Sequence, residues 1–135
     1  MENKKYLRYT AVVLDEKSRS KLLKIFGDKI PEGWKVFAHH MTMNMGGIEN
    51  IPSNVKYLGL KNIVLSVNEV AIDDKVMAVG VSVSNADLKS NNEKMHITLA
   101  VNEAGGGKPK MSNDLTNCQA FKRPFLITGT VTEVI

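Results

Sequence analysis

One tetrapeptide pattern occurs twice in this chain and restricts how it can fold. His40-Met41-Thr42-Met43 and His96-Ile97-Thr98-Leu99 both read His, apolar, Thr, apolar. Alternation with a period of two belongs to a half-buried strand, whose side chains point to opposite faces in turn. His40 and Thr42 then share one face, with Met41 and Met43 opposite. His96 and Thr98 share a face against Ile97 and Leu99 in the same way. Within each polar pair the Cα atoms stand about 6.6 Å apart along the strand. The apolar residues can anchor each strand in a core while each polar pair points into one cleft. The surroundings repeat as well. The first copy runs into Asn44-Met45-Gly46-Gly47 and the second into Asn102-Glu103-Ala104-Gly105-Gly106-Gly107. A strand-like segment precedes each copy, at Tyr6 to Leu14 and at Val76 to Ser84. The chain reads as a degenerate internal duplication, with two similar lobes that each present one motif strand.

The remaining segments fill in an α+β outline. Asp15 offers an N-cap to a helix whose Leu22, Leu23, Phe26 and Ile30 fall on one face, and Gly27 is a C-terminal stop. Pro31-Glu32-Gly33-Trp34 forms a turn before a strand from Val36 to Met45. Val55 to Leu60, Ile63 to Ile72 and Val76 to Ser84 read as strands, the last two joined by a hairpin turn at Asp73-Asp74-Lys75. Met95 to Val101 and Phe125 to Ile135 are further strands. Ser112 to Cys118 reads as a short capped helix, and Asn85 to Glu93 as a polar loop or a single helical turn. Met41, Met43 and Met45 form a same-face stripe suited to core packing.

At 135 residues, with no linker or low-complexity tract, the chain is expected to be one domain spanning 1–135. A composition of 43% hydrophobic and 24% charged residues argues against disorder. No apolar run approaches the roughly 20 residues that cross a bilayer, and Arg8 interrupts the N-terminal apolar stretch, so neither a membrane span nor a signal peptide is expected. A lone Cys118 can make neither an internal disulfide nor a cysteine zinc site, which fits a reducing cytoplasm. The net charge of +4 tolerates a phosphate-bearing ligand without demanding one.

His40 and His96 are two of only three histidines. Phosphodiester hydrolysis needs a proton removed from the nucleophile and another given to the leaving oxygen. Imidazole titrates near neutral pH, so a neutral and a protonated histidine can serve as base and acid. Two threonine hydroxyls can hold the non-bridging oxygens. No metal or other cofactor is required, and no Asp, Glu or Cys stands at a familiar spacing to complete a metal site. His39 alternates away from His40 and reads as structural or surface, although a bulge could exchange their faces.

These residues resemble the 2H phosphoesterase superfamily, named for two His-apolar-Thr/Ser-apolar motifs. It includes RNA 2′,3′-cyclic phosphodiesterases, LigT-like proteins and phage anti-CBASS nucleases that destroy cyclic dinucleotide signals. The resemblance spans most of the chain. The strand Tyr9-Thr10-Ala11-Val12-Val13-Leu14 and the Pro31-Glu32-Gly33-Trp34 turn ahead of His39-His40-Met41-Thr42 look closest to the phage-type members. The resemblance implies a two-lobed α+β fold with antiparallel sheets flanking a central cleft. It implies catalytic roles for His40, Thr42, His96 and Thr98, and no metal. Its phage-like side implies a cyclic di- or trinucleotide substrate in a bacterial or phage-infected cytoplasm. The rival substrate is an RNA end, either a 2′,3′-cyclic phosphate or a 2′-5′ linkage. The rival from another class is a non-catalytic nucleotide- or RNA-binding module. No obligate protein partner is evident.

Further residues could touch such a substrate. Tyr9 and Trp34 can stack on a base, though aromatic residues are more often buried. Gly106 and Lys108 lie in a glycine-rich loop whose amides could approach a phosphate, but the spacing is not that of a P-loop. Lys94 could add positive potential or simply be solvated.

Overall fold

Strand alternation fixes an inner and an outer face for every strand, and the strands close on one another. The computed structural model describes residues 8–85, 87–92 and 94–135. The chain runs β1 (Tyr9–Leu14), α1 (Glu16–Phe26), β2 (Lys35–Val36), β3 (His40–Met45), β4 (Ile63–Ile72), β5 (Val76–Val83), β6 (His96–Val101) and β7 (Gln119–Val134), with 3-10 turns between several of them. The sheet order is β2-β6-β3-β1-β7-β4-β5, and β6 pairs with β5 as well. Every pairing is antiparallel. The result is a closed six-stranded barrel, with β2 as a short addition on β6.

This overturns the two-lobed α+β expectation. The motif strands are neighbours in one closed sheet with a single α-helix among the described residues. The repeated tetrapeptides specify which face of each strand is polar. They do not specify which edges meet, and pairing β6 with both β3 and β5 removes the free edges that two separate sheets would leave.

The barrel interior holds Val12, Met41, Met43, Leu65, Val67, Val79, Ile97 and Leu99, none more than 1% exposed. Met45 departs from the expected stripe and is 69% exposed. The β1–β3 register explains it. Thr10 pairs with Asn44 but Ala11 pairs with Thr42, so Met43 is an extra residue in the ladder. Such a bulge reverses the alternation beyond it and turns Met45 outward.

Asp15 caps α1 by accepting a hydrogen bond from the Ser18 amide at 2.8 Å, and Leu22 and Phe26 bury the inner face. Gly27 does not end the helix in a left-handed turn. Its φ is −55°, and the chain tightens into a 3-10 turn over Gly27–Lys29. The hairpin at 73–75 forms as expected, with Asp73 Oδ1 accepting from the Lys75 and Val76 amides at 2.7 and 2.9 Å.

Other expectations shift. The segment from Val55 to Leu60 is not a strand, because Pro52 opens a 3-10 turn over Pro52–Tyr57. Buried Asn54 in that turn bonds the carbonyl and the amide of Lys89, at 2.8 and 2.9 Å, and so pins the loop before β6. The proposed helix at 112–118 is a 3-10 turn over Pro109–Asp114, and β7 begins at Gln119 rather than Phe125. Tyr6 and Leu7 of the first expected strand lie outside the described residues. Among the described residues no helix is long and apolar enough to cross a membrane.

Candidate active site

β3 and β6 meet in the ladder at Met41 and Ile97, which point into the core at 1% and 0% exposure. In an antiparallel pair the residues flanking such a contact oppose one another in reverse order. His40 therefore faces Thr98, and Thr42 faces His96, all four on the outer face. Directly opposed residues carry Cβ atoms about 5 Å apart. The two histidines thus occupy one diagonal of a four-cornered patch and the two threonines the other. A cavity of about 620 Å³ opens over this patch and is lined by all four residues.

Each corner is held by a neighbour. His96 Nδ1 lies 3.0 Å from the Lys94 carbonyl, which can only accept, so this nitrogen carries the proton and Nε2 is left for a substrate. The Thr98 hydroxyl meets the hydroxyl of buried Ser112 at 2.8 Å. The Thr42 carbonyl accepts from Ser90 Oγ at 3.1 Å, and the Met43 carbonyl from the Asn91 amide at 2.7 Å. Ser90 and Asn91 are thereby held along β3. The Tyr9 ring stacks on His40, with centroids 4.7 Å apart and an interplanar angle of 27°.

Burial, followed by the charges of His39 and His96, pushes the His40 imidazole down to about 4. His40 is therefore neutral at pH 7. The unfolded chain takes up this proton near the usual 6.5, while the folded chain does not until about 4. Stability should consequently fall as pH drops from about 6.5 to 4, by up to about 3 kcal/mol at 1.36 kcal/mol per unit. Urea midpoints at pH 7 and pH 4.5 should differ less in His40→Ala than in the parent protein. An equal difference would contradict the burial of this imidazole.

The structure gathers only part of the expected binding set. Tyr9 lines the cavity with the four motif residues. Trp34 packs against the hydrophobic core and lines neither this cavity nor its neighbour. Gly106 and Lys108 also lie outside both. Gly106 adopts a left-handed φ of 87° to close the Glu103–Gly105 turn. Lys110, two residues beyond Lys108, does line the cavity, as do Arg8 and Asn113. Lys94 pairs with Glu69 at 2.7 Å and contacts Cys118 Sγ at 3.1 Å, in an adjoining cavity of about 480 Å³.

His96, Asn91, Asn92 and Asn113 line both cavities, so the two share a wall. β5 sets Gly80 opposite His96 and Ala78 opposite Thr98, and both line this second cavity. These neighbours were not apparent from the sequence, because strand pairing rather than spacing brings them in. His39, read as structural or surface, is exposed and lines the main cavity beside His40. Among the described residues no group of three or more His, Cys, Asp or Glu could hold a metal ion.

Two imidazoles and two hydroxyls thus line one cavity, side chains able to exchange protons and donate hydrogen bonds. The chain belongs to the fungal tRNA ligase phosphodiesterase domain family, whose model matches residues 2–129. The crystal structure of a fungal RNA kinase is similar, with a TM-score of 0.65 at 14% identity over 97% of this chain. The chain spans 46% of that structure, and the likeness concerns the fold. No curated protein matches the sequence.

Proposed function

We propose that this domain opens 2′,3′-cyclic phosphates at RNA ends by a metal-independent, 2H-type acid–base mechanism. The observation that carries the reading is the cross-strand arrangement of His40, Thr42, His96 and Thr98 on one outer face. The family's name points to an RNA-end phosphodiester and gives no support to cyclic di- or trinucleotide signals.

Neutral His40 accepts a proton from the attacking water. Doubly protonated His96, its Nδ1–H tied to the Lys94 carbonyl, gives its Nε2 proton to the departing ribose oxygen and is left neutral. The Thr42 and Thr98 hydroxyls donate to the non-bridging oxygens, where charge accumulates. The anionic substrate itself favours the charged imidazoles, so the basicity of His40 rises when phosphate enters. The cavities on either side of His96 can accept the groups flanking the reacting phosphorus.

Incubation of an RNA ending in a 2′,3′-cyclic phosphate with the protein in EDTA tests this reading. Ring opening should proceed at the same rate with and without the chelator. Activity that vanishes in EDTA and returns with a divalent ion would replace the proton-transfer account with metal-assisted hydrolysis.

A further inference from the structure

His39 directly precedes β3, and in a fully extended run it would turn away from His40, yet both line the cavity. The backbone leaves the extended form one residue earlier, at Ala38. Ala38 is fully buried and has φ of 47°, in the left-handed region that a non-glycine residue seldom adopts. The distortion is held on both sides. The Phe37 and Ala38 amides donate to the Leu99 and Thr98 carbonyls of β6, at 2.8 and 3.0 Å, and the His39 carbonyl accepts from the Leu14 amide of β1 at 2.9 Å. A strained residue this firmly held points to a local purpose.

The purpose lies in the contact it makes. His39 Nδ1 and His40 Nδ1 are 2.9 Å apart, and the rings meet edge to face at 81°. Two bare imidazole nitrogens would repel at that distance, so one of them carries the proton. A solvated histidine keeps its proton preferentially on Nε2, leaving Nδ1 to accept. His39 is the exposed partner of the two. His40 is confined by the Tyr9 ring stacked on its face.

We infer that His39 is a positioning residue for His40: it accepts the His40 Nδ1–H, and so leaves an unprotonated His40 Nε2 facing the substrate. The inference rests on the assignment of His40 as general base. His39 thereby plays the part that a carbonyl or carboxylate plays beside many functional imidazoles, fixing tautomer and ring orientation together. The other titratable or charged groups around His40 are His96 from β6, Tyr9 and Arg8 at the start of β1, and Lys110 from the Pro109–Asp114 turn.

Ring nitrogen shifts from 15N NMR near pH 7, read on the full chain without substrate, test the tautomer directly. In the parent protein His40 should be protonated on Nδ1, and His39→Ala should lose that preference. Kinetics supply the second readout. His39→Ala should lower kcat by about 10- to 100-fold, the range seen when a partner orienting a functional imidazole is removed, with KM little changed. His39→Asn keeps an acceptor oxygen near the Nδ1 position and should recover most of the loss. A parent His40 protonated on Nε2, or an unchanged kcat in His39→Ala, would overturn the inference. The tautomer is measured without turnover, so a parent protein inactive on cyclic phosphates would sink the proposed function separately.

Discussion

Replacing His40 or His96 with alanine should slow ring opening by about 100-fold or more in each case, the usual range for a positioned general acid or base. The loss should appear in kcat, because in the proposed mechanism each imidazole acts on a proton that moves only in the transition state. The double variant should fall well short of the product of the two losses, since one proton donor without its matching acceptor accomplishes little. His40 and His96 are both partly exposed at the floor of a solvent-open cavity, so neither replacement removes core packing. Steady-state rates on a 2′,3′-cyclic nucleotide, with folding checked by far-UV circular dichroism, measure this. A tenfold or smaller effect from both single variants would remove acid–base catalysis from these residues.

Phe26→Ala is the substitution with the largest expected effect on stability, about 3–5 kcal/mol. Phe26 is 2% exposed and is the last residue of α1. Its ring lies 5.8 Å from that of Phe121 and 6.3 Å from that of Phe125, both on β7. The three rings fasten the helix to the outside of the strand. Truncation would leave a cavity between α1 and β7 that the remaining two rings only partly fill. Urea unfolding should show the midpoint moving down with little change in slope. A cost below about 1 kcal/mol would mean that α1 does not depend on this contact.

The same aromatic cluster shows why β7 was read too short. The segment from Gln119 to Arg123 is polar apart from Ala120 and Phe121, and Pro124 follows it, so it carries no period-two signal. It becomes strand because β4 pairs with it at Glu69↔Ala120 and Val70↔Gln119, and because Phe26 waits for Phe121. Neither partner is local in sequence. The motif strands were legible for the opposite reason. Alternating Met41, Met43, Ile97 and Leu99 state their own burial, and the polar faces of His40, Thr42, His96 and Thr98 follow from it. Barrel closure could not be read, because it depends on which edges pair.

His39 was legible only as a doubt about register, since nothing in Phe37-Ala38-His39 announces a left-handed Ala38. Trp34 and the glycine-rich loop show the converse case. Both carry residue types that suit a nucleotide, yet the chain places Trp34 against the core and Gly106 at a turn.

The most direct test follows the phosphorus atom itself. A 31P spectrum of an RNA oligonucleotide ending in a 2′,3′-cyclic phosphate, recorded during incubation with the protein in EDTA, separates the strained cyclic diester from its monoester product. The cyclic resonance should convert to a monoester with the parent chain and persist with the His40→Ala/His96→Ala double variant. A cyclic resonance left intact by the folded parent protein, or one opened equally well by the double variant, would contradict the assignment of this outer barrel face as a phosphodiesterase site.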